Sequence, residues 1–314
     1  MRWTRLAASF LIGVVALAGV TQWRASAREA AAEAAFPPSG QFVTVDGLRL
    51  HYEMSGSGPD LVMIHGASGS LRDLTFSLRD QLTDRYRVTV IDRPGLGHSD
   101  PQPEVSLLAQ AQAIKAAVAE LGVTDPIVLG QSYGGAVALA WALDANGTGS
   151  PRALVLVGSP SLPWPGTLDP WYRVTSTALG RAFAVPLASA FVPQSYVTAA
   201  TRAVFAPDPV PPGYEAHLGT ALTLRRQTLA ANTAQVNALR AELVTMEPRY
   251  PGLTLPVELV HGSADTVVPL AIHSGPVAQL LPNVTLTVID GAGHMPHHGH
   301  SKTVIDAIDR AALR

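Results

Sequence analysis

The chain has 314 residues, 47% of them hydrophobic and 15% charged, which indicates a compact globular protein and excludes a disordered one. A formal net charge of -2, with no cluster of Lys and Arg, argues against a nucleic-acid partner. The chain contains no cysteine, which excludes disulfides, thiolate metal sites and a cysteine nucleophile.

The amino terminus has the layout of an export signal. Arg2 and Arg5 precede the apolar run Leu6–Val20, and small residues in an A-x-A pattern occupy positions 25–27. The run is shorter than the ~20 residues of a bilayer span, but with the next three residues it reaches the length of an uncleaved anchor. We therefore expect residues 1–27 to be a signal peptide or a membrane anchor. Both alternatives predict an exported protein, periplasmic or extracellular, either free or anchored to the inner membrane.

Residues 28–40 are expected to form a spacer, helical at first and ending in Pro37-Pro38-Ser39-Gly40. Alternating apolar and polar residues on both sides of Asp46-Gly47 then predict a β-hairpin, over 42–45 and 48–54. Continuous apolar runs, typical of strands buried on both faces, follow at 61–64, 127–129 and 153–157, and further strands are predicted at 88–91, 257–260 and 284–289.

Helix-favouring segments separate these runs. The first of these segments ends near Leu82, and the others cover 105–121, 136–145, 270–281 and 302 to the end. Strands that alternate with helices predict an α/β fold, with a mainly parallel central sheet and helices on both faces. In such a sheet, ligands bind at the carboxyl ends of the strands.

The alternation stops between residues 159 and 256, where prolines punctuate short helix-like stretches. We expect this segment to be a helical cap inserted into a core formed by residues 41–158 and 257–314. Its apolar and aromatic residues, such as Trp171, Tyr196 and Phe205, would form a small core of the cap or select a substrate.

One stretch organises the rest of the chain: Gly130-Gln131-Ser132-Tyr133-Gly134-Gly135. It joins an apolar strand to an Ala-rich helix, with a serine at the apex and glycines around it. This is the pattern of a nucleophile elbow, in which strand and helix approach too closely for larger side chains. The helix start also directs free N–H groups towards the serine.

A serine nucleophile needs a base, and the base needs an acid that orients it. Asp265 and His294 each follow a predicted strand and complete the chain order Ser132, Asp265, His294. Asp290 is a rival acid, but its place four residues before the base favours a role in the turn. The backbone N–H groups of Ala67 and Tyr133 are the candidate oxyanion donors, worth about 3–4 kcal/mol each in such sites.

Four histidines at positions 294, 297, 298 and 300 resemble a metal-binding stretch. No acidic residue or cysteine accompanies them in the sequence, and the first has a catalytic role to fill. We therefore expect no metal and no cofactor.

Taken in order, the motifs H-G-x-x-G (65–69), D-R-P-G-x-G-x-S (92–99), G-x-S-x-G-G (130–135), H-G-x-x-D-x-x-V-P (261–269) and G-x-G-H (291–294) resemble those of the α/β-hydrolase fold family. The resemblance spans residues 41–314 apart from the cap. It implies Ser132 as nucleophile, His294 as base, Asp265 as acid and Ala67 and Tyr133 as oxyanion donors, without a cofactor. Relatives with dehalogenase or epoxide hydrolase activity carry Asp at the elbow, so Ser132 argues against those activities.

These observations predict an exported serine hydrolase that cleaves a carboxylic ester with an apolar part through an acyl-enzyme. The alternatives on the same triad are a C–C bond or lactone hydrolase and a cofactor-free perhydrolase. A third alternative, from another class, is a ligand-sensing module that has kept the fold. The expected partner is a small-molecule substrate, with a membrane contacted only through an uncleaved amino terminus.

Overall fold

Eight strands form one sheet in the computed structural model, which describes residues 2–144 and 149–314. The strands are β1 Gln41–Val45, β2 Leu48–Ser55, β3 Asp60–Ile64, β4 Arg87–Ile91, β5 Ile127–Gln131, β6 Ala153–Val157, β7 Val257–Gly262 and β8 Val284–Ile289. The strand order is β1-β2-β4-β3-β5-β6-β7-β8. Only the pairs β1–β2 and β2–β4 are antiparallel, and the rest are parallel.

Helices cover both faces of this sheet, as the alternating pattern predicts. Strands β3, β5, β6 and β7 are buried along their whole length, which explains the apolar runs in the first three. Helices α3 Leu107–Glu120 and α4 Tyr133–Leu143 pack on one face, and α2 Leu71–Ser77 and α12 Ser301–Ala312 pack on the other. The α/β prediction with a mainly parallel sheet is confirmed. The predicted end of the elbow helix, Ala145, lies outside the described residues.

Two predicted helices are shorter in the structure. The segment 270–281 contains only α10, Ser274–Val277, because Pro276 has no N–H for a helical hydrogen bond and Gly275 adds flexibility. Helix α2 stops at Ser77, and a 3₁₀ turn at Arg79–Gln81 completes the segment.

Residues 159–256, called the cap below, connect β6 to β7 and are mostly helical. They contain α5 Pro170–Thr175, a π-helical turn at Gly180–Ala184, α6 Val185–Phe191, α7 Gln194–Phe205, α8 Tyr214–Leu218 and α9 Arg226–Met246. Because β6 and β7 are neighbouring parallel strands, the chain leaves the sheet at the carboxyl end of β6 and returns at the amino end of β7. Between these points, cap residues such as Trp171 and Leu218 lie over the elbow at the carboxyl side of the sheet. Helix α11, Pro296–Gly299, follows the carboxyl end of β8.

Leader and spacer form one continuous helix, α1, from Arg2 to Ala35. Its first half projects from the molecule with its apolar side chains exposed. Its second half packs on α6 and on a 3₁₀ turn at Thr220–Leu224, and three small buried residues, Thr21, Ala25 and Ala32, recur on one helix face. By length and composition α1 is suited to cross a membrane, and among the described residues it alone has this property.

Candidate active site

Ser132 occupies the sharp turn between β5 and α4. Its backbone has φ 50° and ψ -125°, a strained conformation for a residue with a side chain. The glycines around it make the turn possible: a Cβ on Gly134 would lie 2.2 Å from the carbonyl oxygen of Ile64, and one on Gly130 would lie 2.4 Å from that of Gly134. The sequence therefore places glycine where backbone segments touch.

Ser132, His294 and Asp265 lie in one hydrogen-bonded row. The hydroxyl of Ser132 donates to Nε2 of His294 at 2.9 Å, and Nδ1–H of His294 donates to Oδ2 of Asp265 at 2.8 Å. An ionised carboxylate can only accept, so it fixes the tautomer in which Nε2 is free to take a proton. Ser132 lies in the elbow, Asp265 in the turn after β7 and His294 in the loop after β8.

Asp265 is almost fully buried and strongly bound. Burial alone would raise its pKa, but hydrogen bonds from the imidazoles of His261 and His294 and from the N–H of Val268 outweigh it and hold the pKa of Asp265 well below its usual range. Its second oxygen, Oδ1, accepts the N–H groups of Val267 and Val268, both at 2.8 Å. The carboxylate is therefore fixed and charged at neutral pH.

The loop after β3 brings the backbone of Ala67 beside the elbow. Gly66 is so close that a Cβ on it would lie 3.0 Å from Cβ of Ser132. Within the described part of the chain, the N–H groups of Ala67 and Tyr133 donate to no protein acceptor. Both are therefore available to a ligand oxygen placed next to Ser132.

A buried arginine that the sequence analysis did not single out holds this loop. Arg93, fully buried after β4, donates from Nη2 to the carbonyl oxygen of Gly66 at 3.0 Å and from Nη1 to Gln110 and Gln235 at 2.8 Å each. Its guanidinium also lies 4.2 Å from the ring centre of Tyr133. Burial lowers the pKa of Arg93 to about 10, so it stays charged at neutral pH. The sequence feature that could have indicated Arg93 is its charge only two positions after a buried strand.

Helix α9 of the cap also supports the loop. Asn232 accepts the N–H of Ser68 at 2.7 Å and donates to its hydroxyl at 3.0 Å. The imidazole of His65 bonds within the same loop, to Gly66, and accepts the N–H of Arg93. It thus orders the loop and makes no contact with Ser132.

A cavity of about 360 Å³ opens above Ser132 and His294, between the core and the cap. Its walls are mainly apolar and aromatic, and several cap residues contribute: Trp171, Tyr172, Tyr196, Phe205, Tyr214 and Leu218. A larger and more open hollow of about 660 Å³ on the outer side of the cap, around Arg202 and Asp208, contains none of the three residues of the row. The smaller cavity is the candidate substrate site.

Asp73 lies against the histidine stretch, which the sequence had given no acidic neighbour. It accepts hydrogen bonds from Nε2 of His297 (3.1 Å) and of His298 (2.9 Å) and from the hydroxyl of Tyr214 (2.7 Å). Burial raises its pKa, but His297 and His298 outweigh that and hold it well below its usual range. Among the described residues, only this trio offers three metal-ligand atoms, within 4.8 Å of one another. Protein donors already satisfy the carboxylate.

The rival acid, Asp290, is exposed and accepts a hydrogen bond from the hydroxyl of Ser263 at 3.1 Å. It therefore belongs to the turn between β8 and His294. The D-R-P-G loop is closed on itself by Ser99 and His98, which both donate hydrogen bonds to Asp92.

Comparison with known proteins agrees with this geometry. A family model described as alpha/beta hydrolase fold matches residues 59–301. A pimeloyl-[acyl-carrier protein] methyl ester esterase of Stenotrophomonas maltophilia is 30% identical, over 82% of this chain and 95% of its own. Among solved structures, an alpha/beta hydrolase fold protein from Burkholderia ambifaria is 26% identical over 86% of this chain and 96% of its own, with a TM-score of 0.70. A structure described as a membrane phospholipase A, 22% identical, aligns over the whole of both chains with a TM-score of 0.62.

The chain therefore belongs to the alpha/beta hydrolase fold family. Its relatives include a named methyl ester esterase, and the protein is a hydrolase that acts on a small-molecule substrate.

Proposed function

We propose that the protein is a serine hydrolase that cleaves a carboxylic ester with an apolar part through an acyl-enzyme. The observation that carries this proposal is the unbroken row of hydrogen bonds from Ser132 through His294 to Asp265 at the floor of the cavity. This order of contacts supports Ser132 as nucleophile, His294 as base and Asp265 as acid.

In the first half-reaction, Oγ of Ser132 attacks the ester carbonyl carbon while Nε2 of His294 takes the hydroxyl proton. The carbonyl oxygen becomes an oxyanion, which the N–H groups of Ala67 and Tyr133 bind. The intermediate then expels the alcohol, which takes its proton from the His294 imidazolium. The products are a free alcohol and an ester between the acyl group and Ser132.

In the second half-reaction, Nε2 of His294 takes a proton from water as the water oxygen attacks the acyl carbon. A second oxyanion forms in the same place and collapses, and Ser132 regains its proton from His294. The carboxylic acid leaves. Throughout, Asp265 stays ionised and stabilises the imidazolium of each step.

The substrate preference follows from the cavity walls. Aromatic and aliphatic cap side chains, among them Trp171, Phe205 and Leu218, give the site an apolar surface against a few polar groups near Ser132. An acyl or alcohol part rich in CH₂ groups would gain about 0.8 kcal/mol for each group that it buries.

We further propose that residues 1–35 remain on the protein as a membrane anchor rather than being cut near residue 27. Arg24 donates to the carbonyl oxygen of Ala190 at 2.8 Å, and Arg226 bonds to Gln22 and Ser26. Cleavage would remove all of these contacts from the cap. Arg2 and Arg5 before the apolar run favour an exported body. Residues 41–158 and 257–314 then form the catalytic core and 159–256 the cap.

Labelling with a fluorophosphonate tests the nucleophile. Purified protein should take one label per chain at neutral pH, on Ser132, and Ser132→Ala should take none. Hydrolysis of p-nitrophenyl esters by the parent, absent in Ser132→Ala, supports the ester assignment. Turnover of lactones or vinylogous diketones alone would replace it with lactone or C–C bond hydrolysis. Ligand-induced thermal stabilisation without labelling or turnover would favour the sensing module. Mass spectrometry of the mature amino terminus decides between anchor and cleaved leader.

A further inference from the structure

An exposed apolar row runs along the outside of the cap. Leu179, Phe183, Leu187 and Phe191 are spaced four apart on one continuous helical stretch, residues 178–191, which contains the π-helical turn and α6. Such spacing places side chains in one row on a helix surface. Their exposed fractions are 73%, 65%, 45% and 45%. In the α6 part of the stretch the residues off the row, from Val185 to Ala190, are buried.

The charged residues within this segment of the chain have a single sign. Between Asp169 and Asp208 the chain contains no Asp or Glu but three arginines, Arg173, Arg181 and Arg202, all exposed. The net charge of +3 contrasts with the -2 of the whole chain. Exposed apolar side chains flanked by arginines are the features of a surface that binds anionic lipid: the apolar groups enter the acyl boundary and the cations meet phosphates.

The row begins where the apolar half of α1 ends. The guanidinium of Arg24 lies 5.4 Å from the ring centre of Phe191, and Arg28 donates to the carbonyl oxygen of Val192 at 2.9 Å. Arg24 is four residues beyond Val20, only about 6 Å along the helix. Trp23, 72% exposed, stands at the same level, as aromatic and basic residues do at membrane interfaces. A bilayer entered by α1 therefore meets the cap at Phe191.

We infer that the row Leu179–Phe183–Leu187–Phe191 is a second membrane contact, which seats the cap in the headgroup region of an anionic bilayer. The inference rests on the proposed retention of α1. It also narrows the substrate class of the proposed esterase. The following helix, α7, and the preceding α5 line the cavity through residues such as Trp171 and Tyr196, so the site receives amphiphilic esters dissolved in that bilayer.

The absence of cysteine in the chain allows a direct measurement of depth. Phe183→Cys in the full chain is labelled with an environment-sensitive fluorophore and reconstituted into vesicles that contain phosphatidylglycerol. We expect a blue-shifted emission that doxyl-labelled phospholipid quenches. Leu17→Cys, in the apolar half of α1, is the positive control. Glu120→Cys, exposed at the end of α3 on the core, is the control that stays unquenched.

Two results would overturn the inference. An unshifted, unquenched fluorophore at position 183 means that the row faces water. A blue shift without doxyl quenching that grows with the protein-to-lipid ratio means that a second copy of the chain covers the row. Neither readout depends on catalysis, so a failed esterase proposal leaves this measurement intact.

A kinetic comparison tests the link to substrate. Phe183→Ser combined with Leu187→Ser should lower the rate on an ester embedded in anionic vesicles, and leave kcat/KM for a monomeric soluble p-nitrophenyl ester unchanged. Equal rates on the vesicle substrate for parent and variant would contradict the proposed link between the membrane contact and the supply of substrate. A loss on both substrates, with an unchanged melting temperature, would show that the row acts on the cavity itself and not through lipid.

Discussion

Arg93 donates a hydrogen bond to the carbonyl oxygen of Gly66, and that carbonyl belongs to the same peptide unit as the N–H of Ala67. A charge-assisted bond at one end of a peptide polarises the other, since hydrogen bonds in a row strengthen one another at low dielectric. The buried guanidinium thus acts on the candidate oxyanion donor through one amide, without contact with the substrate. Arg93 is a positioning residue in this arrangement.

Replacing Arg93 should therefore lower kcat more than it raises KM. In Arg93→Met the carbonyl of Gly66 loses its cationic donor, and we expect roughly a tenfold loss of kcat, a fraction of the value of a whole oxyanion donor. Arg93→Lys keeps the charge but not the planar fork and should lie between parent and Arg93→Met. Steady-state kinetics on a p-nitrophenyl ester measures kcat and KM for both variants, and urea unfolding checks that the variants are folded. An effect confined to KM would contradict the assignment.

Asp265→Asn should reduce kcat by roughly 10⁴-fold, because an amide that donates to Nδ1 stabilises the wrong imidazole tautomer. The parent should show no loss of activity from Asp265 above pH 5, since the pKa of this carboxyl is held well below its usual range. The matched variant is Asp290→Asn, whose side chain lies in the exposed turn, and it should keep its activity. Comparable losses in both variants would show that the acid has been assigned wrongly.

Gly134→Ala tests the close contact beneath the elbow. The added Cβ would meet the carbonyl oxygen of Ile64 at 2.2 Å, so strand and helix must separate. We expect about 1–3 kcal/mol of destabilisation, with loss of labelling at Ser132. In Gly299→Ala the new methyl group meets no atom within 4 Å, and the free energy of unfolding should change by less than about 0.5 kcal/mol. Urea unfolding measures the change in the free energy of unfolding for the two variants. Similar changes in both would contradict the prediction.

Buried neutral histidines should make the protein unstable in mild acid. Burial lowers the pKa of His65, His273 and His297 to about 4, against about 6.5 in an unfolded chain. Between these values the unfolded state binds more protons, so stability falls as pH falls, by up to about 1.4 kcal/mol per pH unit for each group.

His273→Asn isolates one of these groups. Nδ1 of His273 accepts the N–H groups of Ser161 and Leu162, at 3.3 and 3.4 Å, and an Asn oxygen offers an acceptor in its place. The free energy of unfolding of the variant should depend less steeply on pH between 6.5 and 4 than that of the parent. Parallel curves, measured by urea unfolding at several pH values, would rule out a neutral His273 as a source of the slope.

The sequence allowed prediction of those parts of the molecule that depend on neighbours along the chain. Runs of mainly apolar residues predicted the core strands within one or two residues, because a strand buried on both faces has few polar positions. The glycines near Ser132 predicted a tight turn for the same local reason. Catalytic roles for Ser132, Asp265 and His294 remain a prediction, although their side chains lie in one row.

Contacts between distant segments escaped sequence reasoning. Asp73 and His298 are 225 positions apart, and nothing in either neighbourhood indicates the other. In the sequence, Arg93 stood out only as part of a motif. Its hydrogen-bond partners, Gln110 and Gln235, lie on two different helices and cannot be identified from the neighbours of Arg93 along the chain. The continuity of α1 depends on its docking to the cap, whereas composition alone suggested a leader followed by a spacer.

The unbroken course of α1 has a mechanical consequence. Its 34 residues make a rod about 51 Å long, and no proline or glycine interrupts it between Val20 and Ala35. In the proposed anchored form, with the second half of α1 docked on the cap, this rod leaves no slack between the embedded end and the hydrolase body. The active site of an enzyme held in this way stays at a nearly fixed height above the membrane. Esters outside that height do not reach the cavity, whatever its affinity for them.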